Sequence, residues 1–204
     1  MSKSVLIIFQ KNEILGKVKT RLAASIGNEK ALEVYQLLVQ HTYSILNQME
    51  AKILVFYSDY IPDTKPNFDF DYRVQLGSNL GERMKNAFAT VFNEGYDQAA
   101  IIGTDCAEVT ADHLRQAFSR LKQFDTVIGP ALDGGYYLLG MNSLIPELFS
   151  DISWSSDQVL QETILKLKLL NRSVTLLESL SDVDQIEDWE KLNWKLPTES
   201  KSAN

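Results

Sequence analysis

The chain has 204 residues, 45% hydrophobic and 23% charged, enough for one globular domain with a sizeable core and no composition break that would mark a linker. Its net charge of -7 excludes a broad nucleic-acid-binding face, which needs Lys and Arg clustered over a whole surface. The single cysteine, Cys106, excludes an intrachain disulfide and a multi-cysteine metal site; with no export signal and no apolar run of membrane length, the expected setting is the cytoplasm and no membrane partner is expected.

In chain order, Val5 to Phe9 reads as a buried strand, followed by a polar loop. Asn28 is placed to cap a long helix in which Ala31, Tyr35, Leu38, Thr42, Ile45 and Met49 recur at helical spacing. Ile53 to Tyr57 is the next strand, and Leu80, Met84, Ala87, Phe88 and Val91 mark a second amphipathic helix. A strand follows at Ala99 to Gly103, then a helix capped by Thr110 with Leu114, Ala117, Phe118 and Leu121 inward. Thr126 to Gly129 and Tyr136 to Leu139 are short strands joined through Asp133-Gly134-Gly135. Ser155 and Gln158 suggest a capping box for a helix with Val159, Leu160, Thr163, Ile164 and Leu167 inward. Val174 to Leu177 is the last strand and Asp184 to Leu192 the last helix, while Lys195 to Asn204 is a polar tail expected to be disordered, leaving residues 1–194 as one domain. The alternation predicts an α/β protein, a three-layer α/β/α sandwich on a mostly parallel sheet, with the Tyr136 strand the candidate for an antiparallel member.

Three places carry candidate chemistry. The loop after the first strand holds Lys11, Gly16, Lys17, Lys19 and Arg21, concentrating basic charge where one phosphorylated ligand could sit at the carboxyl edge of the sheet. It lacks the P-loop spacing, and a solvated basic loop is the plainer alternative. Ile101-Ile102-Gly103-Thr104-Asp105 delivers a carboxylate to that same edge, where open α/β folds bind ligands, although Asp105 also suits a turn. Asp133-Gly134-Gly135-Tyr136 is a hairpin signal in its own right; as a site, the two glycines would admit an acceptor, Asp133 would orient a hydroxyl or act as base, and Tyr136 and Trp154 would line the pocket. His41 and His113 lack partners at metal spacing, and Cys106 has no neighbour in sequence that would activate it.

Gly16-Lys17-Val18-Lys19-Thr20-Arg21-Leu22, Gln75-Leu76-Gly77 through Leu80-Gly81-Glu82-Arg83-Met84, Gly103-Thr104-Asp105-Cys106, Gly129 to Tyr137 and Asp182-Val183-Asp184 occur in that order. From about Val5 to Trp189 the chain resembles a bacterial family of the GT-A glycosyltransferase superfamily, some members of which are named arsenosugar-biosynthesis glycosyltransferases. That family is similar to small nucleotidylyltransferases such as phospholactate guanylyltransferase and the molybdenum-cofactor guanylyl- and cytidylyltransferases. The resemblance implies a nucleotide-diphospho-sugar transferase type of fold, nucleotide phosphates held by Lys11, Lys19 and Arg21, and a base or ribose beside the segment from Gly77 through Gly81 to Arg83. It also implies Mg²⁺ or Mn²⁺ on Asp105 and Asp184, which suits a cation that takes one or two carboxylates plus substrate phosphates. Asp184 is equally placed to cap the last helix, with Glu187 three residues on. One departure is Ala107-Glu108, where the family usually carries a proline after the Asp-Cys pair.

The expected partners are therefore a nucleotide or nucleotide sugar and a small-molecule acceptor, with homo-oligomerisation left open. Transfer of a sugar from a nucleotide-activated donor is the first reading, and the single glycine of the first loop favours it. The alternative is nucleotidyl transfer from an NTP to a phosphorylated small molecule with release of pyrophosphate. A nucleotide-binding protein without catalysis ranks third, because both metal-type carboxylates are present.

Overall fold

The computed structural model describes residues 3–65 and 68–195. Seven strands form one sheet: β1 (Ser4–Gln10), β2 (Lys52–Tyr57), β3 (Asp71–Val74), β4 (Gln98–Ile102), β5 (Thr126–Pro130), β6 (Tyr136–Met141) and β7 (Val174–Leu176), in the order β3-β2-β1-β4-β6-β5-β7. All run parallel except β6, which lies antiparallel between β4 and β5. The helices are α1 (Thr20–Ile26), α2 (Asn28–Leu46), α3 (Leu80–Asn93), α4 (Ala111–Arg120), α5 (Val159–Leu169) and α6 (Ile186–Lys191), with a 3-10 turn at Pro146–Phe149.

Both faces of the central strands are buried, so their sequences are nearly unbroken apolar runs. Alternate side chains feed two cores. Leu6 and Ile8 of β1 pack with Tyr35 and Val39 of α2 and with Leu114 and Ala117 of α4; Val5 and Ile7 pack with Met84, Phe88 and Val91 of α3 and Leu167 of α5. This is the α/β/α sandwich that the alternation of elements predicts, and β6 is the antiparallel strand. A third cluster, Leu22, Val34, Leu38, Val183 and Trp189, binds α1 and α6 to α2. Among the described residues no helix is long and apolar enough to cross a membrane.

Several local expectations are corrected. Two elements were not anticipated: α1, which continues the polar loop for seven residues, and β3, a four-residue edge strand with no apolar run. Asn28 is the first residue of α2 rather than its cap, a position taken by Gly27 with no side-chain bond. Met49 lies past the end of that helix. Ser155 and Gln158 make no capping box; the Glu162 carboxylate instead accepts the Ser153 N–H (2.7 Å) and hydroxyl (2.8 Å). The last helix is boxed by Gln185 and Asp188, not by Asp184 and Glu187. Thr110 caps α4 as expected, with His113 completing its box. Apart from Lys195, the tail expected to be disordered lies outside the described residues.

Candidate functional site

The strand order reverses between β1 and β4: from β1 the chain passes to β2 on one flank and from β4 to β5 on the other, leaving a crevice at the carboxyl ends of the two adjacent strands. One phenol ties the two exits together. Tyr35, buried on α2, accepts the Lys11 N–H (2.9 Å), donates to the Lys11 carbonyl (3.1 Å) and accepts the Thr104 hydroxyl (3.1 Å). Asn12 fastens the same loop to the one after β2: its amide donates to the Tyr60 carbonyl (2.9 Å) and its side-chain carbonyl accepts the Asp59 N–H (3.0 Å). The acidic segment after β7 is stitched in from the other side. The Val183 N–H donates to the Asp105 carbonyl (2.9 Å), Leu132 N–H to the Leu180 carbonyl (3.0 Å), and Ser181 N–H to the Glu108 carboxylate (2.7 Å). Glu108, two residues past Cys106, therefore anchors the segment that carries Asp182 and Asp184.

A cleft of about 610 Å³ results. Lys11, Lys17, Lys19 and Arg21 line it together with Asp105, Asp133, Asp157, Asp182 and Asp184. The Lys19 ammonium sits 2.5 Å from Asp105, with its side chain only 6% exposed, and Lys19 takes a left-handed backbone conformation (φ 49°) at the start of α1. Arg21 reaches Asp184 at 2.6 Å but is 71% exposed. Lys19 is thus a desolvated charge with a dedicated partner, whereas the Arg21 pair is exposed and contributes little to stability.

Asp182 is the most perturbed carboxyl in the cleft. Burial raises it, Asp105 raises it further, Lys19 opposes this, and Asp133 and Asp184 add to the rise, carrying it from 3.8 to about 7. A carboxyl raised in the fold binds its proton more tightly folded than unfolded, so stability is lost as pH climbs from 3.8 through about 7 and then levels off. Metal-free Asp182→Asn should escape that decline, showing a higher denaturant midpoint than wild type at pH 8 and a similar one at pH 4. Parallel midpoint curves for the two proteins would show that Asp182 titrates as an ordinary carboxyl.

Of the residues expected from sequence, Lys11, Lys19, Arg21, Asp105, Asp133, Gly135, Tyr136, Trp154 and Asp184 line the cleft. Gly16, Gly77, Gly81, Gly134 and Arg83 do not line it. Arg83 points its guanidinium at the Gly77 carbonyl (3.2 Å) and the Ser58 carbonyl (3.4 Å), bracing the loop after β3; from that region it is Gln75, Leu80 and Met84 that line an adjoining hollow of about 300 Å³. Gly81 lies under Trp154: a Cβ there would stand 2.4 Å from the indole nitrogen. Gly16 lies near Asn28. Sequence reasoning missed Asp157, Ser155 and Ser156 as lining residues and passed over Asp182 in favour of Asp184. The signal for Asp182 was its i, i+2 spacing from Asp184 in an extended segment, which puts both on one side. Cys106 is buried and its thiol pushed up to about 12, mainly by burial and then by Asp182, so it packs as a small apolar residue. His41 accompanies the Val109 carbonyl (3.1 Å), away from the cleft.

Among the described residues no three acidic, histidine or cysteine side chains are grouped closely enough to enclose a metal ion. The donor set is nevertheless hard oxygen, and Asp182, raised first by burial, also feels the negative charge of Asp105, Asp133 and Asp184, which Lys19 opposes. Such a site fits a cation shared with ligand phosphates better than one held by protein alone.

No curated protein matches the chain. A crystal structure from Desulfovibrio desulfuricans, provisionally named a nucleotide-diphospho-sugar transferase, is 33% identical, covers 100% of this chain and 90% of its own, and superposes with a TM-score of 0.88. Two more distant structures share the fold. They are 4-diphosphocytidyl-2C-methyl-D-erythritol synthase from Anaerococcus prevotii (12% identity, 94% and 97% coverage, TM-score 0.61) and the manganese complex of Rv0371c from Mycobacterium tuberculosis (13%, 94% and 98%, 0.55). Residues 42–156 match the family model described as an uncharacterized protein conserved in bacteria, DUF2064. With over half of its length in that match and a 33%-identical relative along all of it, the chain belongs to this bacterial family.

Proposed function

We propose that the protein is a metal-dependent transferase that takes a nucleotide-activated sugar as donor and passes the sugar to a small-molecule acceptor. The observation that carries this reading is the meeting, in one cleft at the β1–β4 crossing, of four cations from the loop after β1 and the first turn of α1 with the carboxylates Asp105, Asp182 and Asp184. A nucleoside diphosphate needs that combination: cations to neutralise a leaving group and carboxylates to hold the accompanying ion. The 33%-identical relative named for nucleotide-diphospho-sugar transfer supports the donor class, and the manganese complex in the same fold supports the ion.

Lys11, Lys17, Lys19 and Arg21 bind the diphosphate. Asp105 and Asp184 would hold Mg²⁺ or Mn²⁺, with Asp182 beside them. When bound, the ion supplies neutralising charge at the diphosphate. On the acceptor side Asp133 receives the hydroxyl proton as the acceptor oxygen bonds to the anomeric carbon. The bond from that carbon to the diphosphate oxygen breaks, and its electron pair leaves with the nucleoside diphosphate.

Calorimetric titration with nucleoside diphosphates and their sugar conjugates, with Mg²⁺, with Mn²⁺ and with chelator, tests this reading. Binding should require the ion, and Arg21→Ala should weaken it by about 1.5–3 kcal/mol, the worth of a hydrogen bond to a charged group. Lys19→Ala should weaken it by a similar amount and, unlike Arg21→Ala, should also lower the thermal midpoint, because it strands Asp105 beside Asp182. No binding of any nucleotide, or release of pyrophosphate from an NTP in place of nucleoside diphosphate from a sugar donor, would overturn the reading.

A further inference from the structure

We infer that the acceptor is a polyhydroxylated molecule without a phosphate group, an inference that rests on the transferase reading above and names its missing substrate class. The cleft is divided by charge. Among the described residues, every cation that lines it, and the only one that lines the adjoining hollow, comes from residues 11–21, the loop after β1 and the first turn of α1. The other wall is made by the β5–β6 turn and the segment before α5, and contributes Asp133, Trp154, Ser155, Ser156 and Asp157 with no Lys or Arg.

That wall is a built surface. Gly134 lies so close to the start of α5 that a Cβ would stand 2.2 Å from the Asp157 carbonyl oxygen, and its own carbonyl accepts the Leu160 N–H (2.9 Å). Asp133 is fixed by the Gly135 N–H (2.9 Å), Ser156 by the Ser153 carbonyl (2.7 Å), Asp157 by the Gln158 amide (2.9 Å), and Trp154 by Gly81. The turn, Ser156, the indole and the two carboxylates thus each have a contact of their own.

The chemistry of this wall selects by charge. A phosphomonoester carries about -1.5 to -2 charge at neutral pH, and placed between Asp133 and Asp157 it would meet repulsion while the four lysine and arginine groups are taken up by the donor diphosphate. Hydroxyl groups do the opposite. They donate to both carboxylates in charge-assisted hydrogen bonds and exchange hydrogen bonds with the serines, while the indole offers an apolar flank to a carbon skeleton. A wall of this composition suits sugar transfer to an alcohol and is a poor receptor for the phosphorylated acceptor that nucleotidyl transfer requires.

The test compares matched pairs: glycerol with glycerol 3-phosphate, ribose with ribose 5-phosphate, and glucose with glucose 6-phosphate. Each is titrated by saturation-transfer NMR against wild-type protein saturated with Mg²⁺ and a nucleoside diphosphate. At least one alcohol should bind, at least tenfold more tightly than its phosphate. Asp157→Asn should weaken it about tenfold, the loss of one hydrogen bond to a charged group, and Asp157→Lys should invert the preference while leaving the thermal midpoint within about a degree, since Asp157 is exposed. Phosphates binding the loaded wild type as tightly as their parent alcohols would overturn the inference, as would binding by neither member of any pair. Nucleotide affinity is measured first. If no nucleotide binds, the transferase reading fails by itself, and the alcohol signals and their dependence on Asp157, read on the free protein, still judge the wall.

Discussion

Asp133→Asn is expected to leave nucleotide affinity within about twofold of wild type while slowing sugar transfer by about 10²–10⁴-fold, the usual worth of a general acid or base. Asparagine keeps the turn, because its side-chain carbonyl can still accept the Gly135 N–H that Asp133 now takes at 2.9 Å, and Asn-Gly supports the same class of hairpin. What it loses is the capacity to take a proton. The measurement is nucleoside diphosphate release in single-turnover reactions with an alcohol acceptor, beside calorimetry of the same preparation. A rate within threefold of wild type would return Asp133 to a purely structural role in the β5–β6 turn.

The largest stability effect is expected one residue further on. Gly134→Ala should destabilise the protein by roughly 2–5 kcal/mol, combining a positive-φ backbone (91°) with a clash against main chain rather than a flexible side chain. A Cβ at this position would meet the Asp157 oxygen, Cα and carbonyl carbon within 2.2 to 2.7 Å, so relief requires the start of α5 to back away from the turn. Equilibrium denaturation gives the magnitude. Gly27→Ala is the control: its φ is also positive (86°) but nothing lies within 4 Å of the added atom, so it should show the backbone cost alone. Equal losses in the two variants would mean that the turn and α5 separate without penalty.

Much of the sheet was legible because β1 and β4 are covered on both faces, which leaves no room for polar alternation and makes runs such as Val5-Leu6-Ile7-Ile8 unmistakable. The strand Asp71-Tyr72-Arg73-Val74 was not legible for the converse reason. At the sheet edge its side chains are half exposed and its pairing with β2 alone defines it. The start of α6 went wrong because a tertiary partner competes with the local cap: Asp184 turns to Arg21, and Asp188 takes over the boxing of the helix. The candidate site was legible as three separate stretches near Lys19, Asp105 and Asp133, to which the family resemblance added Asp184. Its inner electrostatics were not. The Lys19–Asp105 pair and the raised Asp182 carboxyl depend on how α1, the β4 exit and the segment before α6 pack together, and no local spacing encodes that.

The hydrogen bond from the Val183 N–H to the Asp105 carbonyl sets an order on biosynthesis. On the ribosome β1, β2, β3 and β4 emerge first and can already pair, but β4 exposes a bare edge until β6 arrives to lie against it. The segment from Ser181 to Asp184 leaves later still. A nascent chain stalled before that point would hold the basic loop and Asp105 without Asp182, Asp184 or the Glu108–Ser181 tether. Nucleotide is therefore expected to leave early translation intermediates untouched and to protect only chains in which residue 184 has cleared the exit tunnel.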